Sequence, residues 1–249
     1  MSKKIWITGA STGIGKALAL KFAHEGWQVA ASARRENLLQ DLNKNNPNIH
    51  AFPLDVKDEI KSQKIFQDII NKFQTLDICV FCTGIHDPES EKKLNAEKIR
   101  EIMETNFFGT VNCIMAVNAY FRERKNGHIS IVSSVAGYRG FPAASGYCAS
   151  KAALTSLAES LFFDFKRYNV RISLVSPGFI KTPLTDKNKF PMPMIKSPEY
   201  AAEKMFIGLT KKNTFEIHFP KTFTIIVKLL KIMPNWLFFF LVGKGIKRF

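Results

Sequence analysis

Tyr147 and Lys151 stand at positions i and i+4, the spacing that brings two side chains to one face of a helix. A free phenol titrates near ~10, and a neighbouring ammonium stabilises its phenolate, so such a pair can exchange a proton near neutral pH. Ser134 ends an apolar run thirteen residues upstream, where its hydroxyl can donate to a reacting oxygen. A Tyr-x-x-x-Lys pair alone occurs by chance on many helices; a second constellation near the N-terminus gives it weight. There a short apolar strand runs into Thr8-Gly9-Ala10-Ser11-Thr12-Gly13-Ile14-Gly15, and helical spacing begins. Glycines let the backbone turn tightly and approach a pyrophosphate, and the helix N-terminus behind them supplies N–H donors and a positive dipole end.

The second strand indicates which dinucleotide. Sites for NAD commonly place an acid there to bind the ribose 2′-hydroxyl, but this strand ends Ala33-Arg34-Arg35 with no acid. An arginine fork suits a 2′-phosphate, so NADP(H) is the expected preference, with NAD(H) still possible. Asp55, followed by Val56 at the end of the third strand, is placed either to accept from the adenine amine or to cap the next helix.

These residues need a frame that carries them to one place. Apolar runs predict strands over residues 4–8, 28–33, 50–53, 77–81, 128–133, 171–176 and 214–219. Helical spacing predicts helices over 15–25, 36–43, 60–73, 96–122 (bent at Gly109), 146–168 and 198–210. The alternation specifies an α/β fold: a single Rossmann-like doubly wound parallel sheet with helices on both faces. Ligands on such sheets bind beyond the carboxyl ends of the strands, where the motifs fall.

Over residues 3–220 the chain resembles the short-chain dehydrogenases/reductases. The resemblance rests on the stretch from Thr8 to Gly15, Asn106 within Thr105-Asn106-Phe107-Phe108-Gly109, Ser133-Ser134-Val135-Ala136-Gly137, Tyr147 with Lys151, and Pro177-Gly178-Phe179-Ile180-Lys181-Thr182. It implies an oxidoreductase interconverting a carbonyl and a secondary alcohol. Tyr147 would be the general acid/base and Ser134 would polarise the carbonyl. Lys151 would lower the tyrosine pKa and hold the nicotinamide ribose, and Asn106 would hold a relay water. Ile180 and Thr182 would fix the carboxamide and pyrophosphate. Pro177 and Gly178 would line the same site, and Arg34 would mark the NADP-preferring subgroup. The family also implies a homodimer through the helices 96–122 and 146–168, with Leu154, Leu157, Leu161 and Phe162 as candidates for core and interface. One departure stands out: where the family reads Asn-Asn-Ala-Gly, this chain reads Phe81-Cys82-Thr83-Gly84, keeping only Gly84.

The chain has 249 residues, 46% of them hydrophobic and 23% charged, which suits a globular domain with a substantial core. Lys3 and Lys4 precede an apolar run that ends at Gly9, too short for a secretory signal, and no run of about 18 apolar residues predicts a membrane span. Cys79 and Cys82 lie in one apolar strand on opposite faces, so they and Cys113 and Cys148 are expected as free thiols in a reducing, cytoplasmic setting, with no metal. The net charge of +15 invites an anionic partner. No aromatic-interleaved RNA motif or DNA-reading helix is present, so nucleic acid is not expected.

The organisation is thus a catalytic domain over 1–220 and an amphipathic tail over 221–249. The tail holds six bases (Lys221, Lys228, Lys231, Lys244, Lys247 and Arg248) and no acid. Lys221, Thr224, Lys228, Lys231 and Asn235 form a narrow polar stripe on an otherwise apolar helix. The expected partners are an anionic membrane surface, met peripherally with the lysines toward headgroups, and a lipophilic substrate. Docking of the tail on its own domain is the competing reading. The substrate loop over 183–197 carries Phe190, Met192 and Met194, side chains suited to an apolar pocket. A second functional reading is a dinucleotide-binding sensor or scaffold with little turnover.

Overall fold

A computed structural model describes residues 2–246, with side chains through Gly243. Seven strands form one sheet: β1 (Lys4–Thr8), β2 (Gln28–Ser32), β3 (Ile49–Ala51), β4 (Ile78–Phe81), β5 (Gly127–Val132), β6 (Val170–Pro177) and β7 (Glu216–Phe219). All neighbouring pairs are parallel, in the order β3-β2-β1-β4-β5-β6-β7. The order reverses between β1 and β4, where Thr8 pairs with Phe81, so the switch-point crevice opens directly above the glycine loop. Because helices cover both faces, the central strands are buried throughout and read as unbroken apolar runs; all four residues of β4 are buried.

The helices are α1 (Gly13–His24), α2 (Glu36–Asn45), α3 (Glu59–Phe73), α4 (Pro88–Glu91), α5 (Ala96–Met103), α6 (Gly109–Arg124), α7 (Ser145–Lys166), α8 (Pro198–Thr210), α9 (Lys221–Ile232) and α10 (Asn235–Ile246). One core includes Phe22, Leu39, Met205 and Phe206, and the other, across the sheet, includes Phe66, Phe121, Leu154 and Phe165. Cys79 joins the second core while Cys82 packs against the first, and all four cysteines are free. Phe81, at the family's first asparagine position, is buried edge-on to Trp6 with ring centroids 5.7 Å apart. Leu154 is wholly core, whereas Leu157 and Leu161 are only partly buried and Phe162 stays exposed.

Two sequence expectations need correction. The segment over 96–122 is not one continuous α-helix. It runs as α5, one wide π-type turn at Glu104–Phe108, and α6. Gly109 serves close approach, since a Cβ there would lie 2.4 Å from Val56 Cγ2. The wide turn contains Asn106, and such turns gather at functional positions.

The second correction concerns the tail. Part of its polar stripe faces the protein, while Lys221 and Lys231 stay exposed. Thr224 is buried, with its Oγ1 2.7 Å from His218 Nδ1, Lys228 pairs with Glu216, and Asn235 accepts from Arg139. Glu216 also accepts from Tyr138 and Ser176. Burial raises its pKa, but Lys228 and these hydroxyls prevail and hold it below the usual carboxylate range. Val227 packs with Val135 and Tyr138, and the Arg139 guanidinium sits 4.4 Å from the Phe238 ring centroid. The outward face is apolar: Ile225, Ile226, Leu229 and Ile232 on α9, then Trp236, Phe239, Phe240 and Leu241 on α10. The physical reason is that Glu216, Arg139 and His218 are partly buried polar groups that need partners, and the stripe supplies them. Lys247 and Arg248 lie outside the described residues, as does the side chain of Lys244.

Candidate active site

A cleft of about 550 Å³ opens at the carboxyl ends of β1, β2, β4 and β6. Every residue expected to bind the dinucleotide lines it, from Gly9 through Arg34, Asp55 and Gly84 to Thr182. Gly9 and Gly13 have φ of +70° and +56°, a region glycine adopts without strain. A Cβ on Gly9 would meet Cys82 O at 2.9 Å, and one on Gly15 would meet Gly9 O at 2.3 Å, so the loop closes only with glycine. Opposite, a Cβ on Gly13 would lie 3.0 Å from Thr182 Cγ2, which leaves a narrow cradle between the loop and the β6 turn. A buried hydroxyl, Thr83 Oγ1, lines the cleft with no hydrogen-bond partner among the described residues. A bare glycine cradle, a helix N-terminus and an unused donor fit a pyrophosphate-bearing dinucleotide.

The two arginines play different parts. Arg35 donates from Nη2 to Ser11 Oγ and Thr12 Oγ1, both at 2.9 Å, and so braces the loop. Arg34 is exposed at the cleft edge with no hydrogen bond or ion pair among the described residues. The next helix, α3, is capped by Asp58, whose Oδ1 accepts from Lys61 N at 2.8 Å. Asp55 is therefore not that helix cap, and its side chain stays at the cleft.

At the deeper end Ser134, Tyr147 and Lys151 converge. Ser134 follows β5, while Tyr147 and Lys151 lie one turn apart on α7. Burial pushes the Tyr147 phenol up to about 12, against a hydrogen bond from Ser134 that lowers it. Burial also brings the Lys151 ammonium down to about 8. Lys151 Nζ donates to Val132 O at 2.9 Å and lies 5.7 Å from the Tyr147 ring centroid. In the cleft as it stands, burial and not the neighbouring lysine sets the phenol. Asn106 is fully buried behind the cleft wall. Its Oδ1 accepts from Ile85 N at 2.7 Å, and its Nδ2 donates to Ile85 O and Ser150 Oγ, both at 3.0 Å. The amide thus ties the loop after β4 to the helix that carries Tyr147.

The family model for short chain dehydrogenases matches residues 3–193, which include the glycine loop, Asn106, Ser134, Tyr147 and Lys151. The chain belongs to the short-chain dehydrogenase family. Among its relatives, this short-chain dehydrogenase is 35% identical to an uncharacterized oxidoreductase of Myxococcus xanthus, over 93% of each chain. It is 30% identical to a 3-oxoacyl-(acyl-carrier-protein) reductase of Thermotoga maritima, over 84% of this chain and 91% of that one. Among solved structures, ElxO with NADP bound superposes with a TM-score of 0.77 at 27% identity, covering 88% of this chain and 98% of that one. A short-chain dehydrogenase from Streptomyces avermitilis shares the fold at a TM-score of 0.83 and 24% identity, over 98% and 99% of the two chains. The protein is accordingly a nicotinamide-dependent oxidoreductase.

Two residues of this short-chain dehydrogenase escaped the sequence reading. His86 lines the cleft, with its ring centroid 4.4 Å from that of Tyr147. Glu91 is buried beneath it at the end of α4. His86 precedes a four-residue helix and Glu91 ends it, a stretch too short for a periodic signal to mark them.

Proposed function

We propose that the protein is an NADP(H)-dependent oxidoreductase that interconverts a lipophilic carbonyl compound and its secondary alcohol, with Tyr147 as proton donor in the reductive direction. The convergence of Ser134, Tyr147 and Lys151 in the cleft that holds the glycine cradle carries this reading. When bound, the nicotinamide supplies hydride. The chain supplies the rest: Ser134 donates to the substrate oxygen, Tyr147 delivers the proton, and the Lys151 ammonium steadies the phenolate left behind. Asn106 holds α7 and the loop after β4 in register for this transfer. NADPH oxidation with a panel of aldehydes and ketones tests the reading. Turnover of apolar members is the expected result, whereas NADPH binding without turnover of any member would favour the sensor or scaffold.

Arg34 supports the NADP(H) preference, since it stands at the cleft edge with its fork uncommitted. A charge-assisted bond to phosphate contributes on the order of 1.5–3 kcal/mol, so Arg34→Ala weakens NADPH binding roughly 10- to 100-fold. NADH binding stays nearly unchanged, and titration calorimetry with both cofactors checks this. Arg35→Ala weakens both, because Arg35 braces the loop that either cofactor needs.

Burial of Lys151 supplies a pH dependence. The ammonium is lost as pH rises through about 8, while Tyr147 remains a phenol up to about 12. The kcat/KM for reduction therefore falls above about pH 8 as Lys151 deprotonates, with no loss there from Tyr147. A pH–rate profile flat through that range would refute the role given to Lys151.

The chain is further proposed to pair as a homodimer through the faces of α6 and α7, where Phe108 and Met115 flank the former and Phe162 and Phe163 the latter as exposed apolar side chains. Light scattering at micromolar concentration is expected to give twice the chain mass; a monomer would contradict the pairing. The outward apolar face of α9 and α10 supports peripheral attachment to an anionic membrane surface on its cytoplasmic face. Among the described residues no helix is long and apolar enough to cross a membrane. The tail adjoins the substrate loop: Phe223 packs on Phe179 at 5.4 Å, and Phe179 on Phe190 at 6.0 Å. A lipophilic substrate leaving a bilayer would meet the cleft by this route.

A further inference from the structure

We propose that His86 and Glu91 form a positioning pair that fixes the proton donor Tyr147, an inference that rests on the role given to Tyr147 above. Helix α7, which carries Tyr147 and Lys151, starts from Ala144, a residue with no side chain to cap its free N–H groups. Glu91 performs that task from another element. Its Oε2 accepts from Gly146 N at 2.7 Å and from Tyr147 N at 3.1 Å. A carboxylate there also meets the positive end of the helix dipole.

The other carboxylate oxygen, Oε1, lies 2.9 Å from His86 Nδ1. Glu91 is 4% exposed and His86 7%, so the carboxylate is committed to these three partners. A carboxylate acceptor places the imidazole proton on Nδ1. The imidazole then lies against the phenol, with ring centroids 4.4 Å apart and planes inclined at 35°. One buried carboxylate thus fixes Tyr147 twice: through its backbone N–H, and through the ring that packs on its phenol. The contacts of the pair run to α7 and to the phenol, so the pair acts on the proton step more than on the grip on the dinucleotide.

Two variants separate this role from simple structural support. His86→Phe keeps a ring against the phenol but loses the bond to Glu91. Glu91→Gln keeps one oxygen for the two backbone N–H groups and turns an NH₂ toward the imidazole, which moves the imidazole proton to Nε2. Both are assayed beside Tyr147→Phe, with decanal, acetophenone and ethyl acetoacetate as carbonyl probes. The expected result is a kcat lowered on the order of 10- to 100-fold, with NADPH affinity by fluorescence within about twofold of wild type. Nitrogen NMR of the imidazole, which needs no turnover, is expected to show Nδ1–H in the wild type and Nε2–H in Glu91→Gln. Wild-type kcat in either variant, equal losses of kcat, NADPH affinity and melting temperature, or Nε2–H in the unaltered protein would each overturn the proposal. If Tyr147→Phe itself keeps its rate, the role of Tyr147 fails and this inference with it. If Tyr147→Phe is inactive while His86→Phe runs at full speed, only the positioning pair fails.

Discussion

Tyr147→Phe is expected to lower kcat for carbonyl reduction on the order of 10³-fold or more while NADPH still binds. The phenol is protonated at neutral pH and joined by a hydrogen bond to Ser134. Its neighbours do not substitute. Lys151 Nζ is held by Val132 O at 2.9 Å, His86 is engaged by Glu91, and burial pushes the Cys82 thiol up to about 11. The phenylalanine ring fills the same space, so the cradle and its cofactor affinity are left intact. Lys151→Ala, by contrast, is expected to harm both turnover and NADPH binding, because that ammonium is proposed to serve the phenolate and the ribose. Stopped-flow single turnovers with fluorescence binding in parallel separate the two losses. A near wild-type rate for Tyr147→Phe would remove Tyr147 from the chemistry.

The tail gives the second large effect. Truncation at Pro220 is a poor test, since it would strip Lys228 from Glu216, Thr224 from His218 and Val227 from its cluster. Acidic substitutions on the outward face leave those contacts alone. Ile232 and Trp236 are 79% and 72% exposed, and Leu229 lies on the same face. Burying one such side chain contributes about 1.5–3 kcal/mol at most, so Leu229→Asp, Ile232→Asp and Trp236→Asp together should lower partitioning to anionic liposomes by on the order of 10³-fold. The unaltered chain should float with the vesicles. Because Glu216 engages Lys228, Lys221 and Lys231 are the described tail bases left for headgroups, each contributing about 1 kcal/mol near the surface. Part of the binding should therefore survive high salt. Equal flotation of the triple variant and the unaltered chain, or flotation of neither, would end the membrane reading.

The sheet was legible because its strands are buried on both faces, so apolar runs between turn residues mark them without ambiguity. The glycine loop and the Tyr147–Lys151 pair, which line one cleft, were legible for a related reason: their placement depends on local spacing. What escaped depends on contacts between distant segments. The stripe of Thr224, Lys228 and Asn235 shows two faces, but sequence does not say that Glu216, His218 and Arg139 wait to receive it. The wide turn around Asn106 keeps near-helical spacing, so periodicity passes through it unmarked. Asp55 and Asp58 both suit a helix start, and only the backbone path assigns the cap to Asp58. Glu91 caps a helix more than fifty residues away, which no local pattern encodes.

This cleft is proposed to transfer hydride from a nicotinamide to a carbonyl carbon while Tyr147 supplies the proton. Reduction of the panel carbonyls with NADPH carrying deuterium on its reactive ring carbon, followed by mass spectrometry of the alcohol, tests it most directly. One deuterium is expected on the carbinol carbon from one face of the nicotinamide, formed by the wild-type enzyme and lost in Tyr147→Phe. Alcohol formed without that label, or labelled equally well by Tyr147→Phe, would contradict it.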